Sequence, residues 1–189
     1  MSIDKKLLQA IKMMFEVDQD LRLQCVANKK IQVPLFEMNN KDYGKIKGEK
    51  LLKGASLGGA LIYILDNVHN IRIWNIIDKY GYPTSKLIGK NGMHYFHILI
   101  QHQDYDLKLQ EECLKKCDFS PKDKAYLTDR VLLNSGKKQI YGTQFFFDKK
   151  IGKLEMKPVE NSKMVNRKRK EVGIGPWEKD FAKIMKRMK

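Results

Sequence analysis

The sequence predicts an α+β fold: a mainly helical single domain over residues 1–189, with one small antiparallel β-hairpin near residues 138–157. Three observations predict it. Apolar residues recur at helical spacing along most of the chain. Gly81 and Pro83, Ser120-Pro121, and Gly173 and Pro176 cut that pattern into pieces of ordinary helix length. The aromatic run Phe145-Phe146-Phe147 breaks the pattern and is followed by a charged, glycine-containing turn and a second short segment, as in a hairpin.

Leu8, Ile11, Phe15 and Leu21 to Leu23 place the first helix over 7–26. Asp18 and Arg22 lie four apart on it, a spacing suited to an ion pair. Residues 29–53 hold Pro34, Asn39-Asn40, Gly44 and Gly48 among lysines and are expected to form a loop or insertion. Gly54, Gly58 and Gly59 lack the Gly-Lys-Ser/Thr ending of a phosphate loop and suit a turn and helix entry instead. A helix follows over 60–80, with Asn67 to Asn70 as its weak point and Gly81 as its stop. Asn91-Gly92 opens the next, from Met93 to about Cys117. Ser120 and Pro121 read as N-cap and first residue of a helix reaching about Leu133, with Asn134-Ser135-Gly136 as a turn. Gln139 to Asp148 is expected to be a strand, 148–152 its turn and Lys153 to Met156 its partner. Residues 161–189 form a basic C-terminal segment with a short helix over 161–172 and a last helix over 177–188.

With 42% apolar and 31% charged residues, this is a globular composition, and disorder is excluded. The longest apolar run, Leu57 to Leu65, falls far short of the ~20 residues that span a bilayer, so no membrane span is expected. The N-terminus lacks the pattern of a secretory signal, and a cytoplasmic location is expected. Cys25, Cys113 and Cys117 are too few and too irregular for a disulfide framework and read as reduced thiols. The net charge of +15 favours anionic partners, either a small anionic molecule or nucleic acid. Residues 163–189 carry ten Lys/Arg and three acids, a net +7, yet offer few aromatic platforms for stacking. No oligomeric state is specified.

Three polar strings stand beside apolar core segments: Gln101-His102-Gln103-Asp104, Tyr126-Leu127-Thr128-Asp129-Arg130, and Gln139-Ile140-Tyr141-Gly142-Thr143-Gln144. Such residues at buried positions are costly unless they pair, so they form either a structural network or an active site. His102 is the acid–base candidate, with Asp129 or Asp104 to orient it. Arg130 can clamp a carboxylate or phosphate, or tie its helix to Asp18 or Asp104. Tyr141, Thr143 and Gln144 can position water or substrate, and Gly142 inside a strand marks a close approach. His94 and His97, three apart, are compatible with a metal, but no Glu-x-x-His or His-Glu-x-x-His pattern accompanies them. No metal and no other cofactor is expected.

Taken with Asp18-Gln19-x-x-Arg22, Gly81-Tyr82-Pro83-Thr84, Gly89, Pro158, Val165-Asn166, Arg167, Arg169 and Gly173, these strings resemble a bacterial family known as domain of unknown function 6624. The likeness covers most of the chain outside 29–66. It departs at Tyr82, where the family more often carries tryptophan. It implies a shared fold and a shared polar network, and no activity. The reading that follows is an acid–base hydrolase or transferase acting on an anionic, phosphate-bearing substrate. His102, Asp129, Asp104 and Gln144 would be its catalytic set, and Arg130, Tyr141, Thr143, Arg169, Asp18 and Arg22 its binding set. The alternative is a non-catalytic basic module that binds nucleic acid or an acidic protein.

Overall fold

Leu7, Ile11, Met14, Asp18 and Cys25 return to one face at helical spacing, and all five are buried on helix α1 (Lys5–Ala27). The Asp4 side chain starts this helix by accepting from the Leu7 N–H at 2.9 Å. The computed structural model describes residues 3–28, 56–148 and 151–188. The loop or insertion expected over 29–53 lies outside the described residues, as do Lys149 and Lys150 of the expected hairpin turn.

Two compact units divide the chain, one made of residues 9–81 and the other of residues 1–8 and 82–189. In the first, α1 beyond Leu8 accompanies α2 (Leu57–Tyr80), and the Cys25 thiol meets the Gly58 carbonyl at 3.5 Å. Ser56 caps α2 by accepting from the Gly59 N–H. Gly81, at φ 74°, ends it and returns its N–H to Ile77. The weak point at Asn67 to Asn70 does not break the helix. The Asn67 side chain donates to the Tyr63 carbonyl one turn back, so its polar group is satisfied within the helix.

The second unit holds α3 (Ser85–Gln101), α4 (Leu107–Lys116) and α5 (Pro121–Asn134), then a hairpin of β1 (Phe145–Asp148) and β2 (Lys153–Met156). A 3-10 turn (Ser162–Met164), α6 (Val165–Glu171) and α7 (Trp177–Met188) complete it. Its core gathers Ile88, Phe96, Leu99, Ile100, Leu109 and Leu127, none of which touches solvent. The register pairs Phe145 with Met156 and Asp148 with Lys153. Phe145 packs on Trp177 and Phe181 at ring distances of 6.5 and 6.1 Å, which fixes the hairpin to α7. A mainly helical α+β fold with one small hairpin is the observed class.

Two expected elements are corrected. The single helix from Met93 to Cys117 is two, separated by a turn over 102–106. Asp106 caps α4 by accepting from the Leu109 N–H. The Gln110 side chain donates to the Ile100 and Gln101 carbonyls, which closes the end of α3. Helix α3 also starts earlier, at Ser85, with a kink at Gly89 where φ is 72°. Gly92 lies inside it and allows close packing, since a Cβ there would stand 2.8 Å from the Leu8 Cδ1. The expected strand over 139–148 is a strand only from Phe145. Gln139 makes one isolated bridge to Val159, its N–H donating to the Pro158 carbonyl, and beyond it 140–144 is an irregular loop in which the amides of Ile140, Tyr141, Thr143 and Gln144 bond to side chains. All three cysteines are buried, and among the described residues none is joined in a disulfide. Among the described residues no helix is long and apolar enough to cross a membrane.

Candidate functional site

Asp129 projects from the middle of α5 and is wholly buried. Its carboxylate accepts from the backbone N–H of Ile140 at 2.7 Å, of Tyr141 at 2.9 Å and of Thr143 at 2.9 Å, and from the Thr143 hydroxyl at 2.9 Å. Those bonds bend 140–143 around one side chain, and Gly142 at φ 59° completes the bend. Gln139 holds the same loop from the other side. Its amide donates to the Gln144 and Lys157 carbonyls and accepts from the Gln144 N–H. The Gln144 side chain donates to the Thr143 hydroxyl at 3.1 Å.

Arg169, on α6, is also wholly buried. Its guanidinium donates to the Tyr141, Gly142 and Gly175 carbonyls and pairs with Asp180 of α7. Asp180 accepts the Tyr126 hydroxyl as well. Burial and then the Asp180 charge push the Tyr126 phenol up to about 12. Burial, with Asp129 next, also raises the Tyr141 phenol. Asp129, Thr143, Gln144, Tyr141 and Arg169 are thus brought together in a single network joining α5, the 139–144 loop, α6 and α7. Such a network fixes a backbone shape.

Arg130 follows Asp129 but points elsewhere, because neighbours on a helix project about 100° apart. It donates to Asp104 at 2.7 Å, in the turn between α3 and α4 that also carries His102. Asn134 donates to Asp104 and to Gln110. Burial pushes the Asp104 carboxyl up, but the Arg130 charge and the bonds from Arg130, Asn134 and Gln110 outweigh it, and the net shift is downward. The Arg130 Nε is buried and has no hydrogen-bond partner among the described residues. His102 sits half-buried at the C-cap of α3 instead of mid-helix. Asp18 and Arg22 belong to the other unit. There Arg22 bridges Asp18, at 3.0 Å, and Asp66 of α2, while Gln19 donates to Asp18.

A further constellation joins the His94–His97 pair to a residue that the sequence reading did not select. Asp123, in the first turn of α5, places Oδ1 3.1 Å from the His94 Nδ1 and 3.3 Å from the His97 Nδ1. Its Oδ2 accepts from the Ser120 hydroxyl at 2.8 Å. His97 is 1% exposed, and burial pushes its imidazole down to about 4, against the pull of Asp123. Its Nε2 lies 2.8 Å from the Gln101 side-chain nitrogen. A cavity of about 380 Å³, bounded by Ser85, Lys90, Phe119, Ser120 and Asp123, opens beside this cluster. His94 and His97 could be paired by spacing, but Asp123 is 26 residues from His97 and enters only through packing of α5 on α3.

A model of a protein family matches residues 57–187, well over half of the chain. The chain belongs to the family of unknown function DUF6624. The DUF6624 match contains the Asp129 network, the Asp104–Arg130 pair and the His94–His97–Asp123 cluster. It begins at Leu57, so Asp18-Gln19-x-x-Arg22 falls outside it, and 57–66 falls within it. No curated protein and no solved structure matches the chain.

Proposed function

We propose that this DUF6624 domain is an acid–base hydrolase or transferase that acts on an anionic, phosphate-bearing substrate at the turn between α3 and α4. What supports the reading is Arg130. One of its terminal nitrogens is held by Asp104, while its Nε donor is buried and unpaired. A buried donor without a partner costs about 1–3 kcal/mol, and a phosphate oxygen relieves that cost. His102 occupies the same turn and is the proton-transfer group. Asp104 fixes Arg130, while Tyr141 and Gln144 belong to the separate loop that Asp129, Thr143 and Arg169 hold in shape. Asp129 has no role as an orienting base in this scheme, because its carboxylate is already committed to the loop amides.

The test uses inorganic phosphate, adenosine monophosphate and p-nitrophenyl phosphate. Phosphate or the nucleotide is expected to raise the melting temperature, and Arg130→Gln is expected to abolish the rise. His102→Gln is expected to keep the rise and to lower turnover of the nitrophenyl ester at least 100-fold. A melting temperature insensitive to all three anions, or a rise that survives Arg130→Gln, overturns the reading.

A further inference from the structure

We infer that His94, His97 and Asp123 form a binding site for one divalent transition-metal ion of the zinc type. Two imidazole nitrogens and one carboxylate oxygen converge there, all within 4.8 Å of one another. Tetrahedral zinc with bonds of about 2.0–2.1 Å places its donor atoms roughly 3.3 Å apart. The observed separations of 3.1 and 3.3 Å between Asp123 Oδ1 and the two Nδ1 atoms match that spacing. The arrangement differs from a surface carboxylate that attracts cations in general. His97 is buried, so its imidazole is fixed by packing beside Asp123 instead of swinging free in solvent.

The surroundings supply what a metal site needs. Ser120 orients the Asp123 carboxylate through Oδ2 and leaves Oδ1 toward the imidazoles. Gln101 lies against His97 Nε2. With its amide turned over, the Gln101 oxygen accepts Nε2–H, which is the tautomer that frees Nδ1 for a metal. His94 is half-exposed and gives the ion a way in. Two nitrogens and one oxygen favour zinc, cobalt or nickel over magnesium and calcium, which take oxygen donors in larger number. Three protein donors leave a fourth position for water or an anion, and of the three only Asp123 also borders the neighbouring cavity. The site is independent of the Arg130 reading and stands or falls separately.

The experiment is calorimetric titration of the full chain, stripped with chelator, with zinc chloride, repeated with cobalt chloride and followed by visible absorption. One equivalent is expected to bind, with the absorption bands of tetrahedral cobalt. His94→Ala and Asp123→Asn are each expected to weaken binding at least tenfold. His94 is exposed enough that its replacement leaves folding intact, which circular dichroism verifies. Absence of stoichiometric binding overturns the inference. So does binding that is unchanged in His94→Ala, because the ion would then sit elsewhere, on Cys113 and Cys117 for example.

Discussion

Asp129 satisfies three backbone amides and one hydroxyl while itself out of reach of water. Replacing it with alanine strands those amides. At about 1–3 kcal/mol for each buried donor left unmade, Asp129→Ala is expected to lose at least about 3 kcal/mol of stability. Urea denaturation measures this as a fall in midpoint at unchanged slope. A loss under about 1 kcal/mol would mean that the 139–144 loop holds its shape by other means. Asp104 gives the pH counterpart. Its folded-state pKa lies below the unfolded one, so its contribution is present above the unfolded value of about 3.9 and disappears as pH falls through the folded value. The carboxylate is half-exposed, so the contribution is under about 1 kcal/mol. The stability gap between the parent and Arg130→Gln is therefore expected to shift in the variant's favour, by up to about 1 kcal/mol, as the solution is acidified from about pH 5 to about pH 2. A gap that stays constant over that range would detach Asp104 from Arg130.

Gly142 ties three elements together. Its φ of 59° is the left-handed region, and a Cβ there would meet the Met156 Sδ of β2 at 2.9 Å and a Val165 methyl of α6 at 3.0 Å. Gly136 has a similar φ, 74°, with open space around it. Gly136→Ala is expected to cost about 1–2 kcal/mol, the backbone share alone. Gly142→Ala adds overpacking and should cost about 2–4 kcal/mol. Equal losses in thermal or urea melts would show that the close approach of β2 and α6 is slack. The same contrast explains which elements the sequence reveals. The cap at Ser120-Pro121 is local, and the structure has it where the residue types place it. The turn at 102–106 is hard to see from periodicity, because Ile100 and Leu107 on either side of the polar stretch stand seven apart, a helical spacing, and the closing donor, Gln110, lies a full turn into the next helix. The loop over 139–144 reads as a strand because its partner is a carboxylate more than ten residues back. The polar strings show which residues need partners. The choice between a folded scaffold, as at Asp129, and a donor left without a partner among the described residues, as at the Arg130 Nε, depends on where neighbouring helices put the other half of each bond.

A net charge of +15 surrounds the whole molecule, and it bears on the alternative of a basic module for nucleic acid or an acidic protein. The densest basic string is Arg167-Lys168-Arg169-Lys170. Its third member is turned inward, its charge engaged by Asp180 and three carbonyls. Arg167 is exposed but pairs with Glu171 across one helical turn. What remains outward is a broken row, without aromatic residues to stack bases. The expected behaviour is therefore weak attraction from the overall field, not a dedicated groove. A single-stranded oligonucleotide should bind with an affinity that falls steeply with salt. Each lost phosphate contact reduces the slope of log K against log salt by about 0.7. Changing Arg167, Lys168 and Lys170 together to glutamine should lower the slope by no more than about 2 and leave binding measurable at low salt. Fluorescence anisotropy over a salt series reads both quantities. Abolished binding in the triple variant would make the α6 face a specific polyanion interface and would favour the basic-module reading over the Arg130 site. Retained binding with a modest change in slope would assign the charge to general electrostatics and count against the basic-module reading.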